Sequence, residues 1–345
     1  MPDVADMNNN KTSLLRNTAL FLGASVFLLA AGWHAHSWHL RSSIQNTERR
    51  VKATGYLLTS PLLDVELPEG VTINKEPLPF KHKVADFVKL MTDGTRARNI
   101  SVYYRDLGDG PWFGINEHLD FNPASMMKVP VMIAWLKRSE NNPSVLKQTF
   151  LFDGAVDMNK IQLYKPRSTL VAGQQYSVEQ LLEYMLSYSD NNALNLLISN
   201  ITKEELKAVI NGMDITYRSG GRINTISVHG YSGFFRILYN ASFLNREMSE
   251  KALQLLCKED FPQGIIAGVP KGVTVASKFG ESGGGNSGEE QQLHEFGIVY
   301  HPKGPYILGI MTKGNDLAHQ TEILRDISAL VYREVDAGAN LGDQR

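Results

Sequence analysis

The chain has 345 residues, 43% of them hydrophobic and 21% charged, with 35 basic against 36 acidic side chains. That composition is ordinary for a globular protein, long enough for one or two cored domains, and it excludes a disordered or repetitive chain. The even charge lacks the basic footprint of a nucleic-acid binder, and the single cysteine, Cys257, forbids an intrachain disulfide.

Residues 1–17 form a short polar tail, and an uncharged run from Thr18 follows, flanked at its far end by Trp33 and Trp38. Its length and interfacial tryptophans predict a transmembrane or signal-anchor helix over 18–38. Ala30 and Gly32 are small enough for a cleavage site, but bulky Trp33 and the histidines after it make a poor one, which favours an uncleaved anchor. The expectation is a single-pass protein of the cell membrane with its large domain outside the cytoplasm. Residues 39–80 carry mixed charge and then four prolines in SPLLDVELPEGVTINKEPLPF, the composition of a tether or of an arm lying on the domain.

The folded domain is expected over 81–335, with 336–345 as a tail. KVADFVKLMTDG has helical spacing; NISVYYRDL and WFGINE read as two strands around the turn signal GDGPW. Helical periodicity then dominates in MKVPVMIAWLKRSE, SVEQLLEYMLSYSDNNALNLLISNI, KEELKAVIN and SGFFRILYNASFL. GVTVASKF, LHEFGIVYHP and YILGIMTKG are β-rich, and TEILRDISALVYREV closes as an amphipathic helix. Strands at both ends with helices between them predict an α+β fold in which the chain returns to its first sheet, leaving a cleft between the sheet and a helical lobe.

Three short stretches carry possible chemistry. In FNPASMMKVPVM, Ser125 precedes Lys128 by three positions, which puts both on one face if they share the first turn of a helix. A serine needs a base to become a nucleophile, and a lysine serves only when desolvation or a nearby cation depresses its pKa. By itself Ser-x-x-Lys also fits an ordinary helix start. In YMLSYSDNNALNLL, Ser189, Asp190 and Asn191 precede an apolar helical run, where Ser189 or Asp190 could simply cap the helix. Lys278 and Gly280 stand where a β-rich segment meets a glycine-rich turn.

In this order, SMMK, SDN and KFG resemble the serine β-lactamase and penicillin-binding protein superfamily, most closely the class A β-lactamases, whose pattern is Ser-x-x-Lys, Ser-Asp-Asn and Lys-Thr-Gly. Ser189 follows Ser125 by 64 positions (189 − 125), and Tyr164-Lys165-Pro166 resembles the Tyr-x-Pro stretch of that family. The resemblance implies an α+β fold with a mainly antiparallel sheet flanked by helices and an all-helical lobe. It makes Ser125 the acylated nucleophile, Lys128 its proton acceptor and Ser189 a proton relay to the leaving nitrogen. Lys278 would keep the cleft positive, Asn191 would bind a substrate amide and Tyr164 would form a wall. The amides of Ser125 and Glu281, beside Gly280, would form the oxyanion hole. No metal or cofactor is expected; His34, His36 and His39 cluster only beside the membrane run.

Two departures bear on mechanism. Phe279 stands where the family has threonine or serine and cannot hydrogen-bond a substrate carboxylate, a task that would pass to Lys278, Ser189, Ser282 or His294. Between Asp214 and Glu247 the chain has no Asp or Glu, so the loop glutamate that activates the deacylating water in class A enzymes is missing, and His229 is the only residue there that titrates near neutrality. The expected function is a serine acyl-hydrolase opening β-lactams through Ser125, with slow deacylation. The alternatives are a D-alanyl-D-alanine peptidase acting on peptidoglycan, and a non-catalytic membrane-anchored binding protein with this fold.

Overall fold

The structure, a computed structural model, describes residues 56–60, 80–92, 96–108, 111–211, 218–220, 223–283 and 290–342. The chain divides into two compact units, one of Met1–Leu57 and Pro61–Leu67, the other of Leu58–Ser60 and Pro68–Arg345. Of the first, residues 56 and 57 alone are described, so the predicted anchor over 18–38 lies outside the described residues. Among the described residues no helix is long and apolar enough to cross a membrane.

Among the described residues, the secondary-structure elements lie in the second unit. Helix α1 (Lys81–Met91) buries Val84 and Val88, four apart on one face. Strands β1 (Asn99–Asp106) and β2 (Trp112–Ile115) form the expected hairpin, with Val102 opposite Ile115. The short β3 (Asp120–Phe121) leads through a 3₁₀ turn, Ala124–Met127, into α2 (Lys128–Asn141). A hairpin of β4 (Thr149–Phe152) and β5 (Gln174–Ser177) precedes α3 (Val178–Ser187), α4 (Asn191–Ser199) and α5 (Lys203–Asn211). Strands β6 (Arg218–Gly220) and β7 (Ile223–Ser227) join β3, and α6 (Val228–Tyr239) and α7 (Arg246–Leu256) follow. The chain ends with β8 (Val275–Ser282), β9 (Gln291–Val299), β10 (Tyr306–Gly314) and α8 (Leu317–Gly342), which runs seven residues past the predicted helix end at Val335 (342 − 335).

The main sheet has the order β2-β1-β10-β9-β8 and its pairings are antiparallel. Joining β1 to β10 is the return of the chain that the distribution of strands predicts. Five consecutive residues of β1, Ile100 to Tyr104, are buried because the strand is central and both sheet faces are covered. Ile100, Val102, Tyr104 and Leu308 pack with α1 and α8 residues on one face, whereas Tyr103, Ala276, Phe296 and Met311 join the core of the helical lobe on the other. That lobe is built around α2, whose residues from Val129 to Leu136 are all buried. β8 lies at the sheet edge and packs against the Ala124–Met127 turn, so the seam between sheet and helical lobe runs past Ser125.

One fragment of the predicted tether does lie on this unit. The amides of Leu58 and Thr59 each donate to the Glu250 carboxylate at 3.0 Å, and that of Ser60 to the Tyr239 carbonyl at 2.7 Å.

Candidate active site

Ser125 sits in the 3₁₀ turn, one step before the α-helix rather than within it. In a 3₁₀ turn residues three apart eclipse one another, so Ser125 and Lys128 still share a face. Ala124 enters the turn at φ +48°, its amide held by Asn122 Oδ1 at 3.0 Å. The Met126 amide donates to Pro123 O at 3.0 Å and the Tyr231 hydroxyl to Met126 O at 2.7 Å, fixing the turn from both sides. Pro130 falls in the first turn of α2, where its missing N–H costs no helical hydrogen bond.

Ser189 comes from the break between α3 and α4. Asp190 caps α4, Oδ1 accepting the amides of Asn192 at 2.6 Å and Ala193 at 3.0 Å, and Oδ2 that of Leu170 at 3.0 Å. With the cap supplied by Asp190, Ser189 adopts φ +57° and turns both its carbonyl and its hydroxyl toward Lys128. Lys128 is fully buried, and its Nζ lies 3.0 Å from Ser125 Oγ, 2.6 Å from Ser189 O and 3.0 Å from Ser189 Oγ. Burial, and after it the charge of Lys278, hold the Lys128 ammonium well below the usual lysine range; Asp190, Glu281 and Glu259 oppose this.

Lys278 is also fully buried, and its Nζ lies 2.5 Å from Glu259 Oε1. The same carboxylate accepts the Phe279 amide at 2.8 Å and the Ser277 hydroxyl at 3.0 Å. The cation that the sequence places at the cleft is thus offset by a partner with no motif around it. Beneath the pair, buried Glu295 accepts the Ile265 amide at 2.6 Å; burial and the neighbouring Glu259 charge push its carboxyl up to about 8.

Gly280 touches the nucleophile turn: a Cβ there would fall 2.7 Å from Pro123 O and 2.9 Å from Met126 N. Only glycine lets β8 run so close. Phe279, 5% exposed, does not overhang the cleft; it stacks on Phe261 with centroids 4.4 Å apart, inside the α1/α8 core. His294 is no cleft residue either. It is fully buried, accepts the Thr312 amide at Nδ1 (3.2 Å) and therefore donates from Nε2 to Asn122 O (3.0 Å); burial lowers its pKa to about 4. His229 packs against Trp112, His118 and Tyr103, beside β2, and not among the site residues.

A loop over 157–167 crosses from one side of the seam to the other. On the helical side, Asn192 Oδ1 accepts the Met158 amide at 2.7 Å, Asn159 Oδ1 accepts the Asn191 amide at 2.7 Å, and the Asn191 side chain reaches Met158 O at 3.4 Å. On the sheet side, the Leu163 amide donates to Glu281 Oε1 at 2.9 Å, the Tyr164 hydroxyl lies 3.0 Å from Thr321 Oγ1 of α8, and Arg167 pairs with Asp260 at 3.1 Å. The Tyr164 ring packs edge-on against Phe261 and Phe279. Between the anchors, Gln162 Nε2 donates to Ser189 O at 2.7 Å, while Gln162 Oε1 is buried and has no partner among the described residues. Burial raises the Glu281 carboxyl, and the Leu163 and Tyr164 amides pull it back.

The structure therefore gathers Ser125, Lys128 and Ser189 into direct contact, with Lys278, Gly280 and Glu281 along the adjoining strand and Asn191 and Tyr164 at the two feet of the crossing loop. Gln162, Glu259 and Glu295 belong to the same neighbourhood, and no sequence motif marks them.

A serine bonded to a buried, depressed lysine, with a second serine completing the triangle, defines a serine hydrolase of the β-lactamase and penicillin-binding superfamily. The chain belongs to the beta-lactamase enzyme family, whose model matches residues 80–335. Among curated proteins none matches the sequence. Similar solved structures include a mutant of PBP-A captured as an acyl-enzyme complex with penicillin G (19% identity, TM-score 0.64, covering 77% of this chain and all of that one). A β-lactamase from Sphaerobacter thermophilus DSM 20745 is 22% identical, with TM-score 0.61 and coverage of 74% and 96%. A class A β-lactamase from Mycobacterium abscessus is also 22% identical, with TM-score 0.62 and coverage of 73% and 99%. These likenesses establish the fold.

Proposed function

We propose that the protein is a serine acyl-hydrolase that opens β-lactam-type substrates through an ester on Ser125 and releases that ester slowly. The carrying observation is the placement of Lys128 Nζ, buried and within 3.0 Å of both serine hydroxyls. Ser125 Oγ attacks the carbonyl carbon while Lys128 takes its proton; the C–N bond then breaks, and Ser189 passes a proton to the leaving nitrogen. The amides of Ser125 and Glu281 serve as oxyanion donors, each such donor contributing about 3 kcal/mol in preorganised sites. Asn191 and Tyr164 border the acyl group, and Lys278 depresses Lys128.

Slow release is supported by the state of the carboxylates near Lys128. Asp190 caps α4, Glu259 pairs with Lys278, and Glu281 holds the crossing loop. The stretch between Asp214 and Glu247 offers no further carboxylate to activate water. In the cell, an anchor over 18–38 holds this domain on the outer side of the membrane. Incubation with a fluorescent penicillin followed by intact-mass measurement tests the reading: a long-lived adduct on Ser125, abolished by Ser125→Ala, is expected. Rapid turnover would overturn slow release, and absence of any adduct would overturn the acyl-enzyme.

A further inference from the structure

Exposed apolar side chains are not spread evenly over this protein. Of the twelve large ones among the described residues, six stand within 21 positions (171 − 151 + 1): Leu151, Val156, Met158, Ile161, Leu163 and Val171. Ile161 is 79% exposed, Val156 63% and Val171 60%. Single apolar residues on a surface need no explanation, whereas a cluster marks an interaction site.

Contacts within the segment make the cluster one structure. A Cβ on Gly154 would fall 2.4 Å from Ala172 Cβ, Asn159 Nδ2 donates to Thr169 Oγ1 at 2.8 Å, and the Gly173 amide donates to Phe152 O at 2.7 Å. The outgoing and returning arms therefore lie side by side, with Val156 and Met158 on one and Val171 on the other. Gln162 has extended backbone and is buried, its Nε2 on Ser189 O, while its neighbours Ile161 and Leu163 project the other way, into solvent. The apolar crest is thus the outer face of a loop whose inner face holds Ser189.

The charges around the crest fit one kind of partner. Lys160, Lys165 and Arg167 interleave with the apolar residues, and no acid stands between Met158 and Ser168. Arg167 pairs with Asp260, and Lys165 Nζ reaches the carbonyls of Asn159 and Lys160. Neither lysine has a carboxylate within ion-pair distance among the described residues. Asp157, at the foot of the loop, accepts the Asn159 amide at 3.0 Å and Asn192 Nδ2 at 3.1 Å. Apolar tips among lysines, whose stems lie along apolar matter while their ammonium groups stay in water, suit a lipid–water interface with anionic headgroups.

The tether permits this contact. The arm is fixed to the domain at Leu58–Ser60, so 19 residues (57 − 39 + 1) separate it from the proposed anchor, about 65 Å at full extension. That exceeds the roughly 45 Å breadth of a domain of this size, and any face can turn to the bilayer.

We propose that the crest of the crossing loop is a lipid-binding lip that sets the Ser125 side of the domain against an anionic bilayer surface. The proposal takes from the anchor reading only that the chain is delivered to a membrane, and it does not depend on the acyl-enzyme.

Full-length protein carrying Cys257→Ser and Ile161→Cys, labelled with the fluorophore NBD, tests it in nanodiscs of phosphatidylcholine with roughly 30% phosphatidylglycerol and a headgroup spin-labelled lipid as quencher. Leu90→Cys, at an exposed apolar position on α1, is the reference. Quenching at 161 should exceed that at 90 roughly threefold or more, and the excess should shrink severalfold in phosphatidylcholine alone or with Val156→Ser and Leu163→Ser together. Equal quenching at the two positions would overturn the lip. So would a change at 161 that requires a β-lactam, which would make the crest a substrate surface, or one that grows with protein concentration in detergent, which would make it a face between copies. A chain that does not stay with the discs would overturn the anchor, and the same labelled chains added to vesicles of the same lipids then judge the lip by the same comparison.

Discussion

Gln162 and Lys128 bond the same atom. The Ser189 carbonyl oxygen accepts Gln162 Nε2 at 2.7 Å and Lys128 Nζ at 2.6 Å, so a residue of the crossing loop holds the acceptor that positions the proton-accepting lysine. Gln162→Ala should slow acylation by a fluorescent penicillin about five- to tenfold, the worth of one neutral hydrogen bond. An unchanged rate would show that Ser189 holds Lys128 unaided.

Acylation should rise with pH as Lys128 loses its proton, with a limb well below the ordinary lysine value of 10.5, because burial and then Lys278 disfavour the ammonium. Glu259 acts in the opposite sense. Glu259→Gln removes a charge that favours the ammonium and unpairs Lys278, so the limb should move to lower pH. The broken buried pair should also cost about 3 kcal/mol of stability, read by urea unfolding. A limb that stays in place would separate Glu259 from Lys128.

Glu295 should make the fold weaken as pH rises. Its carboxyl is raised from 4.5 to about 8 in the folded state, so between those values the folded protein binds a proton that the unfolded chain has released. Stability is then full below pH 4.5 and is lost as pH climbs through about 8. Glu295→Gln keeps an acceptor for the Ile265 amide and removes the titration. Its melting temperature should exceed that of the parent by roughly 3–8 °C at pH 8 and by much less at pH 5. Parallel curves for the two proteins would refute the assignment.

Thr321→Val breaks the sheet-side contact of the Tyr164 hydroxyl without touching the reacting groups. Losing a bond of about 1 kcal/mol should open the crossing loop more often and speed labelling by a bulky β-lactam about two- to fivefold. Slower labelling would mean that the loop serves as binding surface and not as cover.

Gly280→Ala would drive a methyl to within 3 Å of Pro123 O and Met126 N, two backbone atoms of the nucleophile turn. Acylation should fall by about a hundredfold or more, as expected when reacting groups are displaced by about an ångström. The loss should be seen while circular dichroism still reports a folded protein.

The sheet was legible because periodicity two at both ends of the domain and 3.6 between them leaves few ways to bury the apolar faces, and β1 beside β10 is one of them. SMMK and SDN were legible because their chemistry is local: a lysine one turn from a serine, and a cap next to a second serine. Ser189's role depended on Asp190 taking the cap, and those two adjacent residues could each have filled it. Lys278 was legible from its motif and does act on Lys128, but its ion pair was not, since the partner Glu259 stands 19 positions away across an irregular connection (278 − 259). Gln162 carries no signal beyond its nearness to Tyr164. Helix α7 has one, with Asn245 as its cap and Met248, Ala252, Leu253 and Leu256 on a buried face.

Ala124 and Ser189 both hold positive φ, +48° and +57°, on either side of Lys128. Side chains other than glycine pay roughly 1 kcal/mol for that region. The two hydroxyls are thus aimed by the main chain itself, against its local preference, and tertiary packing must keep both kinks in place. Loosening the helical lobe would let the backbone relax, and alignment would fail before the fold does. The catalytic triangle should therefore be the first thing this protein loses on warming.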